Sequence, residues 1–258
     1  MRDPGEALAC VVIPTHRRPH FVAEALRSAL AQTLPPREVF VVDDEGAAET
    51  RGVVEAIARS APLPVRYCAH REGRGPSTSR NYGARASSAE WLAFLDDDDR
   101  WRPDYLRAAL AHADADLVLV GRVDFDGAGD ERPGKIPPEH YDERAWLRRN
   151  LGGTGSSTVI RRKLFLEIGG YDPQLLSGQD RDLVLRAMRA GGRYAAVREP
   201  LLEHRDEGPR ITTDARTILP ARLRFLRKHA HAMRAGDIAY MLRKIAREVS
   251  RASWRRER

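Results

Sequence analysis

The chain has 258 residues, 42% of them hydrophobic, enough for one large domain or two small ones around a sizeable core. No apolar run approaches the roughly 20 residues of a membrane span, and the opening Met1-Arg-Asp-Pro-Gly-Glu6 lacks the apolar centre of a signal peptide, so the sequence predicts a cytoplasmic protein. The formal charge of +7 belongs to residues 216–258, which hold 13 Lys/Arg against 3 Asp/Glu; the remaining body is slightly acidic, unlike a nucleic-acid reader with a basic working face.

In chain order, Leu8–Ile13 is an apolar run stopped by Pro14, after which Phe21, Ala25, Leu26, Ala29 and Leu30 recur at helical spacing. Val39–Val42 is a second strand that ends at Asp43-Asp44. Val53, Val54, Ile57 and Ala58 mark a helix bounded by Pro62 and Pro64. Val65–Cys68 is a third strand and 76–88 a helix rich in Ala and Ser; strand 91–95, helix 103–112 and strand Leu117–Val120 follow. This alternation predicts βαβ units and a mostly parallel central sheet flanked by helices. Cys10 and Cys68 sit in strand-like contexts and read as buried thiols rather than as a disulfide or a metal site.

In a parallel sheet, ligands bind outside the carboxyl ends of the strands. That rule gives Pro14-Thr15-His16-Arg17-Arg18, Asp43-Asp44 and Asp96–Asp99 one common edge. The last group is the most telling, because apolar Trp91–Leu95 empties straight into four consecutive carboxylates. Adjacent negative charges at the end of a buried strand repel one another and resist desolvation. A divalent cation, Mg²⁺ or Mn²⁺, relieves that strain and is commonly held by carboxylates together with substrate phosphates. The alternative is a solvated acidic turn capping the helix that Pro103 begins, for which a single Asp suffices. Carboxylates beside Thr, His and Arg suit a nucleotide whose diphosphate is bridged by a metal. No G-x-G-x-x-G follows the first strand and no Walker lysine motif is present, so a dinucleotide oxidoreductase is disfavoured. Gly73-Arg-Gly75-Pro-Ser-Thr78 reads as a turn before a helix.

Beyond residue 121 the alternation fades. Segment 126–138 is a loop by composition, and Gly152-Gly-Thr-Gly-Ser-Ser157 is a second flexible stretch. Ile168-Gly-Gly-Tyr-Asp-Pro173 and Ser177-Gly-Gln-Asp180 precede an apolar helix containing Leu183, Val184, Leu185, Ala187 and Met188. Asp180 stands at the head of that helix, either as a plain cap or as a carboxylate aimed into the site.

Taken together and in order, several of these motifs resemble the family 2 glycosyltransferases, inverting enzymes that use sugar nucleotides and have the GT-A fold. The resemblance runs over residues 8–205: Val11-Val-Ile-Pro-Thr-His-Arg-Arg18 and Ala31-Gln-Thr33; Val41-Val-Asp-Asp44; Arg80-Asn81; Phe94-Leu-Asp-Asp-Asp-Asp-Arg-Trp101 with Pro103; Ile168-Gly-Gly-Tyr-Asp172; and Gly178-Gln-Asp180. It implies a nucleotide-sugar-binding half at 1–121 and an acceptor-binding and catalytic half at 122–215, while charge and spacing mark 216–258 as a basic helical extension. It further implies that Pro14, Thr15 and His16 border the nucleobase, that Asp43 and Asp44 hydrogen-bond base or ribose, and that Arg80 lies near the diphosphate. Asp96 and Asp98 match the ends of the family's D-x-D motif, with Asp98 the direct metal ligand; Asp97 reaches the ribose. Asp180 matches the general base on the acceptor hydroxyl, and His204 stands where related enzymes place a further metal or diphosphate contact. Two positions depart from the family pattern, Gly46 where Ser is usual and Gln179 where Glu is common.

The function so implied is inverting transfer from a nucleoside diphosphate sugar, UDP-linked by default, to the hydroxyl of a glycan, lipid-linked or small-molecule acceptor, assisted by Mg²⁺ or Mn²⁺. The rivals are a sugar-1-phosphate nucleotidyltransferase, which usually has a Gly-rich Arg/Lys loop where Pro14–Arg18 stands here, and a non-catalytic nucleotide-binding module. In the tail, Leu223, Leu226, Ile238, Met241, Leu242, Ile245 and Trp254 interleave with Arg222, Arg224, Arg227, Lys228, Arg234, Arg243, Lys244, Arg247 and Arg251. Ile238, Met241, Leu242 and Ile245 share a helical face. Two amphipathic helices result, packed on the body or on a second copy, or attached peripherally to an anionic membrane.

Overall fold

The structure, a computed structural model, describes residues 8–70, 72–206 and 215–254, with side chains left undescribed in 215–218 and 248–254. The apolar periodicities of the sequence are realised closely through the first half. Strand β1 (Ala9–Thr15) is buried along its whole length. Helix α1 (Pro19–Leu30) starts on a proline suited to a first turn and buries Val22, Ala25, Leu26 and Ala29, an i, i+3, i+4, i+7 stripe. Then come β2 (Glu38–Asp43), α2 (Ala48–Ala58), β3 (Val65–Ala69), α3 (Pro76–Ala86) and β4 (Trp91–Phe94).

The chain continues with β5 (Arg100–Trp101), α4 (Tyr105–Leu110), β6 (Leu117–Phe125), β7 (Glu131–Pro133), α5 (Glu143–Arg148), β8 (Thr158–Arg161), α6 (Arg162–Glu167), α7 (Gln179–Arg189) and β9 (Tyr194–Arg205). Helices α8 (Ala215–His229) and α9 (Ala235–Trp254) close it. The strands form one sheet in the order β3-β2-β1-β4-β8-β6-β9-β5, with β7 paired to β6. From β3 to β4 all pairings are parallel. Beyond β4 the sheet is mixed: β8 runs antiparallel to both β4 and β6, while β9 runs parallel to β6. Strand β7 lies inside the stretch expected to be loop, and β9 was not expected from the sequence pattern.

Parallel pairing brings the carboxyl ends of β1, β2 and β4 to one edge: Thr15 stands opposite Asp43, and Val12 opposite Phe94. Helix α3 lies close against β1, since a Cβ on Gly83 would fall 2.5 Å from Val12 Cγ1. Only a glycine permits that approach, which carries Ser77 and Arg80 to the same edge. Cys10 and Cys68 are free thiols, and burial pushes the Cys10 thiol up to about 12.

The last two helices pack on the body. Phe225, Leu226, Met233 and Met241 join the core beside Leu183, Val184 and Trp146. Leu242, grouped by spacing with Met241 and Ile245, is 47% exposed, because it falls at the margin of the stripe those two residues define. Arg251 and Trp254 lie outside the described side chains. What fixes α8 to α7 is polar. Asp182, fully buried, accepts from Arg186 Nε at 2.7 Å and from His229 Nε2 at 2.9 Å, and pairs with Lys228 Nζ at 2.9 Å. Arg189 is 3.0 Å from His229 Nδ1, and because arginine only donates, Nδ1 accepts and Nε2 carries the proton towards Asp182. Burial pulls His229 below the usual imidazole range, consistent with a neutral ring. Burial opposes the Asp182 charge, but His229, Arg186 and Lys228 outweigh it and lower the carboxyl to about 2.

Removing one member of a buried charge network strands the others. Asp182→Ala is expected to cost about 3–5 kcal/mol in urea unfolding; a loss under about 1 kcal/mol, the scale of an exposed pair, would contradict the network's role. The folded carboxyl is depressed below its unfolded value, so its contribution is complete above about pH 4 and is lost as pH falls towards 2.

Candidate functional site

Four carboxylates follow β4, and each is held by a different part of the chain. Asp96 pairs with Arg80 of α3. Asp97 Oδ2 accepts from Thr15 Oγ1 at 2.8 Å, at the end of β1. Arg18 NH1 reaches Asp97 Oδ1 at 3.3 Å and Asp98 Oδ2 at 2.9 Å. Asp99, 1% exposed, accepts from Ser156 Oγ at 2.5 Å, from Arg205 N at 3.1 Å and pairs with His204 Nδ1 at 3.0 Å.

Ser156 lies in a short 3-10 turn, Gly155–Ser157, closed by a reciprocal cap: Ser157 N donates to Thr154 Oγ1, and Thr154 N to Ser157 Oγ. The Ser156 Oγ also accepts from Asp96 N at 2.9 Å, and its carbonyl accepts from Trp101 Nε1 and Tyr105 OH. The flexible glycine stretch of the sequence is therefore a rigid support for the acidic turn. Ser156 carried no chemical motif and was missed as a site residue.

The electrostatics follow from this crowding. Burial, then the neighbouring Asp98 charge, pushes Asp97 up to about 7. Burial, then Asp99 and Asp96, raise Asp98. Burial works against a charged His204, yet the bond to Asp99 prevails and raises it.

Asp180 sits in the first turn of α7. Its cap position is Gly178, in the left-handed region at φ 80°, and no side chain caps this helix end, so Asp180 is free of the capping role. Asp180 Oδ1 is buried without a hydrogen-bond partner among the described residues. Burial raises its carboxyl to about 6; Arg80 lowers it and Asp96 raises it. Arg80, 3% exposed, pairs with Asp96 and acts on Asp180 through its charge alone, with its guanidinium 5.1 Å from the centre of the Tyr171 ring. Neighbouring Asn81 fixes that ring's backbone, donating to Tyr171 O and accepting from Tyr171 N, both at 2.8 Å. A Cβ on Gly170 would sit 2.4 Å from Asn81 Oδ1, which explains the paired glycines before Tyr171. Gln179 Oε1 accepts from Ser77 Oγ, tying the head of α7 to the head of α3.

Asp43 and Asp44 take supporting positions. Asp43 is fully buried and accepts from Glu45 N, Ala47 N and Tyr67 OH, fixing the turn after β2. Asp44 accepts from Arg74 N and Gly75 N at 2.9 Å, holding the Gly73–Gly75 loop against β2. Pro14 and Thr15 are buried, whereas the His16 side chain is 51% exposed at the mouth of this edge. Arg17 follows at φ 55°, a strained backbone for a non-glycine residue, and pairs with Glu45. Hence Asp96–Asp99, Arg80 and His204 form one centre at this edge, with Asp180 within its electrostatic influence and His16 and the Asp44-held loop at its flank.

Residues 10–169 match the family described as Glycosyl transferase family 2. An uncharacterized glycosyltransferase of Haemophilus influenzae is 30% identical over 186 residues, covering 69% of this chain and 61% of its own length. The succinoglycan biosynthesis protein ExoO of Rhizobium meliloti is 34% identical over 200 residues, covering 71% of this chain and 56% of its own. The chain therefore spans less than two thirds of the length of these relatives. Among solved structures, S. aureus TarS 1-349 in complex with UDP-GlcNAc aligns with a TM-score of 0.69 at 18% identity, over 93% of this chain and 72% of that one. At that identity the likeness is one of fold.

Proposed function

The chain belongs to glycosyl transferase family 2, and we propose that it moves a glycosyl group from a nucleoside diphosphate sugar to an acceptor hydroxyl, with inversion at the anomeric carbon. The observation that carries this reading is Asp180: a half-buried residue whose Oδ1 is buried and unpartnered among the described residues, its carboxyl raised to about 6 under the charges of Arg80 and Asp96. A general base works best with a pKa near the operating pH and within reach of the proton it removes. Asp180 takes the acceptor's proton as its oxygen attacks the anomeric carbon, and the bond to the nucleotide diphosphate breaks on the opposite face. No enzyme nucleophile is required. Arg80 lends positive charge between base and leaving group, and His16, with the loop held by Asp44, borders the nucleoside. A uridine nucleotide is the favoured donor, supported by the UDP-GlcNAc in the TarS neighbour.

A divalent cation is supported by the chemistry of the residues at this edge. No group of three His, Cys, Asp or Glu converges on one point among the described residues. Mg²⁺ is typically held by one or two carboxylates plus substrate phosphates, so a larger protein cluster is not required. Asp98 carries excess negative charge that a cation relieves. His204 spends Nδ1 on Asp99, the arrangement that fixes a metal-binding imidazole and leaves Nε2 for the ion. Asp98 and His204 would hold the ion, Asp96 being paired with Arg80. When bound, the cation supplies positive charge to the departing diphosphate.

No described helix is long and apolar enough to cross a membrane. Peripheral contact, or pairing with a second copy, is supported by exposed Leu223 and Leu242 beside exposed Arg224, Arg227 and Arg243.

Asp180→Asn keeps shape but cannot accept a proton. It is expected to leave UDP affinity near wild type while cutting transfer by roughly 10²–10⁴-fold. In the wild type, transfer should fall as pH drops through about 6, where Asp180 protonates. Near-normal transfer by the variant would remove the base from this role. Separately, Mn²⁺ is expected to strengthen UDP binding to the wild type in calorimetry and to lose that effect in Asp98→Asn. Unchanged metal dependence in the variant contradicts the assignment of Asp98.

A further inference from the structure

The last residue of β9, Arg205, stands opposite Phe125 of β6 and reaches the acidic turn with both backbone and side chain. Its N donates to Asp99 Oδ1 and its Nε to the Asp98 carbonyl, both at 3.1 Å. The rest of the guanidinium is anchored elsewhere. Its carbon lies 4.6 Å from the centre of the Phe125 ring and 4.7 Å from that of Phe21 on α1. Nη2 donates to Glu24 Oε2 at 2.6 Å, and Arg100 Nη1 stands 3.8 Å from the same oxygen. The Arg205 side chain is left 10% exposed.

An arginine that merely joined β9 to α1 would need Glu24 and the two rings. The bond from Nε does something further. Residues 96–99 form a turn closed by Asp99 N on Asp96 O at 3.1 Å, which gives the Asp98 carbonyl no partner inside the turn. Arg205 supplies that partner, so one residue grips the turn at two successive positions. Asp98 needs the grip. Its carboxylate follows and precedes other carboxylates that repel it. Arg18 pairs with it at 2.9 Å, but the Arg18 side chain is itself 35% exposed. A mobile cation at one end does not fix a carboxylate against such repulsion unless the backbone beneath it is also held. Groups that support a metal ligand from behind are typically worth 10–100-fold in metal affinity.

We propose that Arg205 is a positioning residue for donor binding: by holding the Asp98 carbonyl, it fixes the backbone from which the Asp98 carboxylate meets a divalent cation. Glu24, Phe21 and Phe125 in turn fix Arg205. The inference rests on Asp98 as the metal-holding carboxylate of the glycosyl-transfer reading.

Two substitutions separate positioning from anchoring, because each keeps a different half of the arginine. Glutamine carries its Nε2 donor at the same point of the side chain as arginine Nε, but has no charge for Glu24. Lysine keeps a charge for Glu24 and the rings, but has no donor at that point. UDP binding to the full chain is measured by calorimetry with and without Mn²⁺, and thermal unfolding in parallel. Arg205→Lys is expected to reduce the strengthening of UDP binding by Mn²⁺ by about tenfold or more, with metal-free UDP affinity at the wild-type value. Arg205→Gln is expected to keep most of that strengthening, although it unfolds at a lower temperature. Wild-type behaviour of Arg205→Lys makes Arg205 an anchor only and overturns the proposal, and this variant decides alone if Arg205→Gln fails to fold. Equal loss in both variants, or no effect of Mn²⁺ on the wild type, also overturns it. If both variants behave as expected while UDP-GlcNAc yields no transfer to any acceptor, the positioning role stands and the glycosyl-transfer reading fails.

Discussion

Four consecutive carboxylates at the end of a buried strand repel one another, and the fold around them is organised to hold them apart. Asp96 is held by α3, Asp97 and Asp98 by the loop after β1, and Asp99 by the 156 turn and the end of β9. Coulomb repulsion between neighbours only a few ångströms apart is strong where solvent is partly excluded. Each restraint therefore has to come from a separate segment with its own donor. That requirement draws residues 15, 18, 80, 156 and 204 to one edge of the sheet.

The same restraints link the turn to α7. Arg80 pairs with Asp96 and its charge also acts on Asp180, so the proton affinity of Asp180 depends on the state of the acidic turn. Helix α7 is then fixed at its head by Gln179 to Ser77 and further along by the Asp182 network to α8. The basic C-terminal helices thus serve the site mechanically through Asp182, Lys228 and His229. Among the described residues, Arg224, Arg227 and Arg243 lie on the exposed outer face.

Local pattern made the first half legible. Short apolar runs ending at polar residues, spaced by amphipathic segments, give β1 to β4 and α1 to α3 nearly residue for residue. Strand β9 was not legible, because Tyr194–Arg205 carries Pro200 and several charges, and it is a strand only through its pairing with β6 across an irregularity near Gly121. The two-residue β5 exists for the same non-local reason. At the site, the sequence identified the carboxylates but not their facing. Asp43 and Asp44 look alike in sequence, yet the turn geometry buries the first and gives the second to the Gly75 loop. Whether Asp180 caps α7 was undecidable until Gly178 proved to hold the cap position. Ser156 has no signature at all, since its importance lies in what surrounds it.

The account stands on group transfer from a sugar nucleotide, and the products of one reaction test it. The full chain is incubated with UDP-GlcNAc, Mn²⁺ and a panel of glycan, lipid-linked and small-molecule acceptors, and the released nucleotide is resolved by ³¹P NMR. Release of UDP, with the sugar in inverted configuration on the acceptor, is the expected result. Formation of UTP on adding pyrophosphate, with no UDP, would contradict the account and identify nucleotidyl transfer instead.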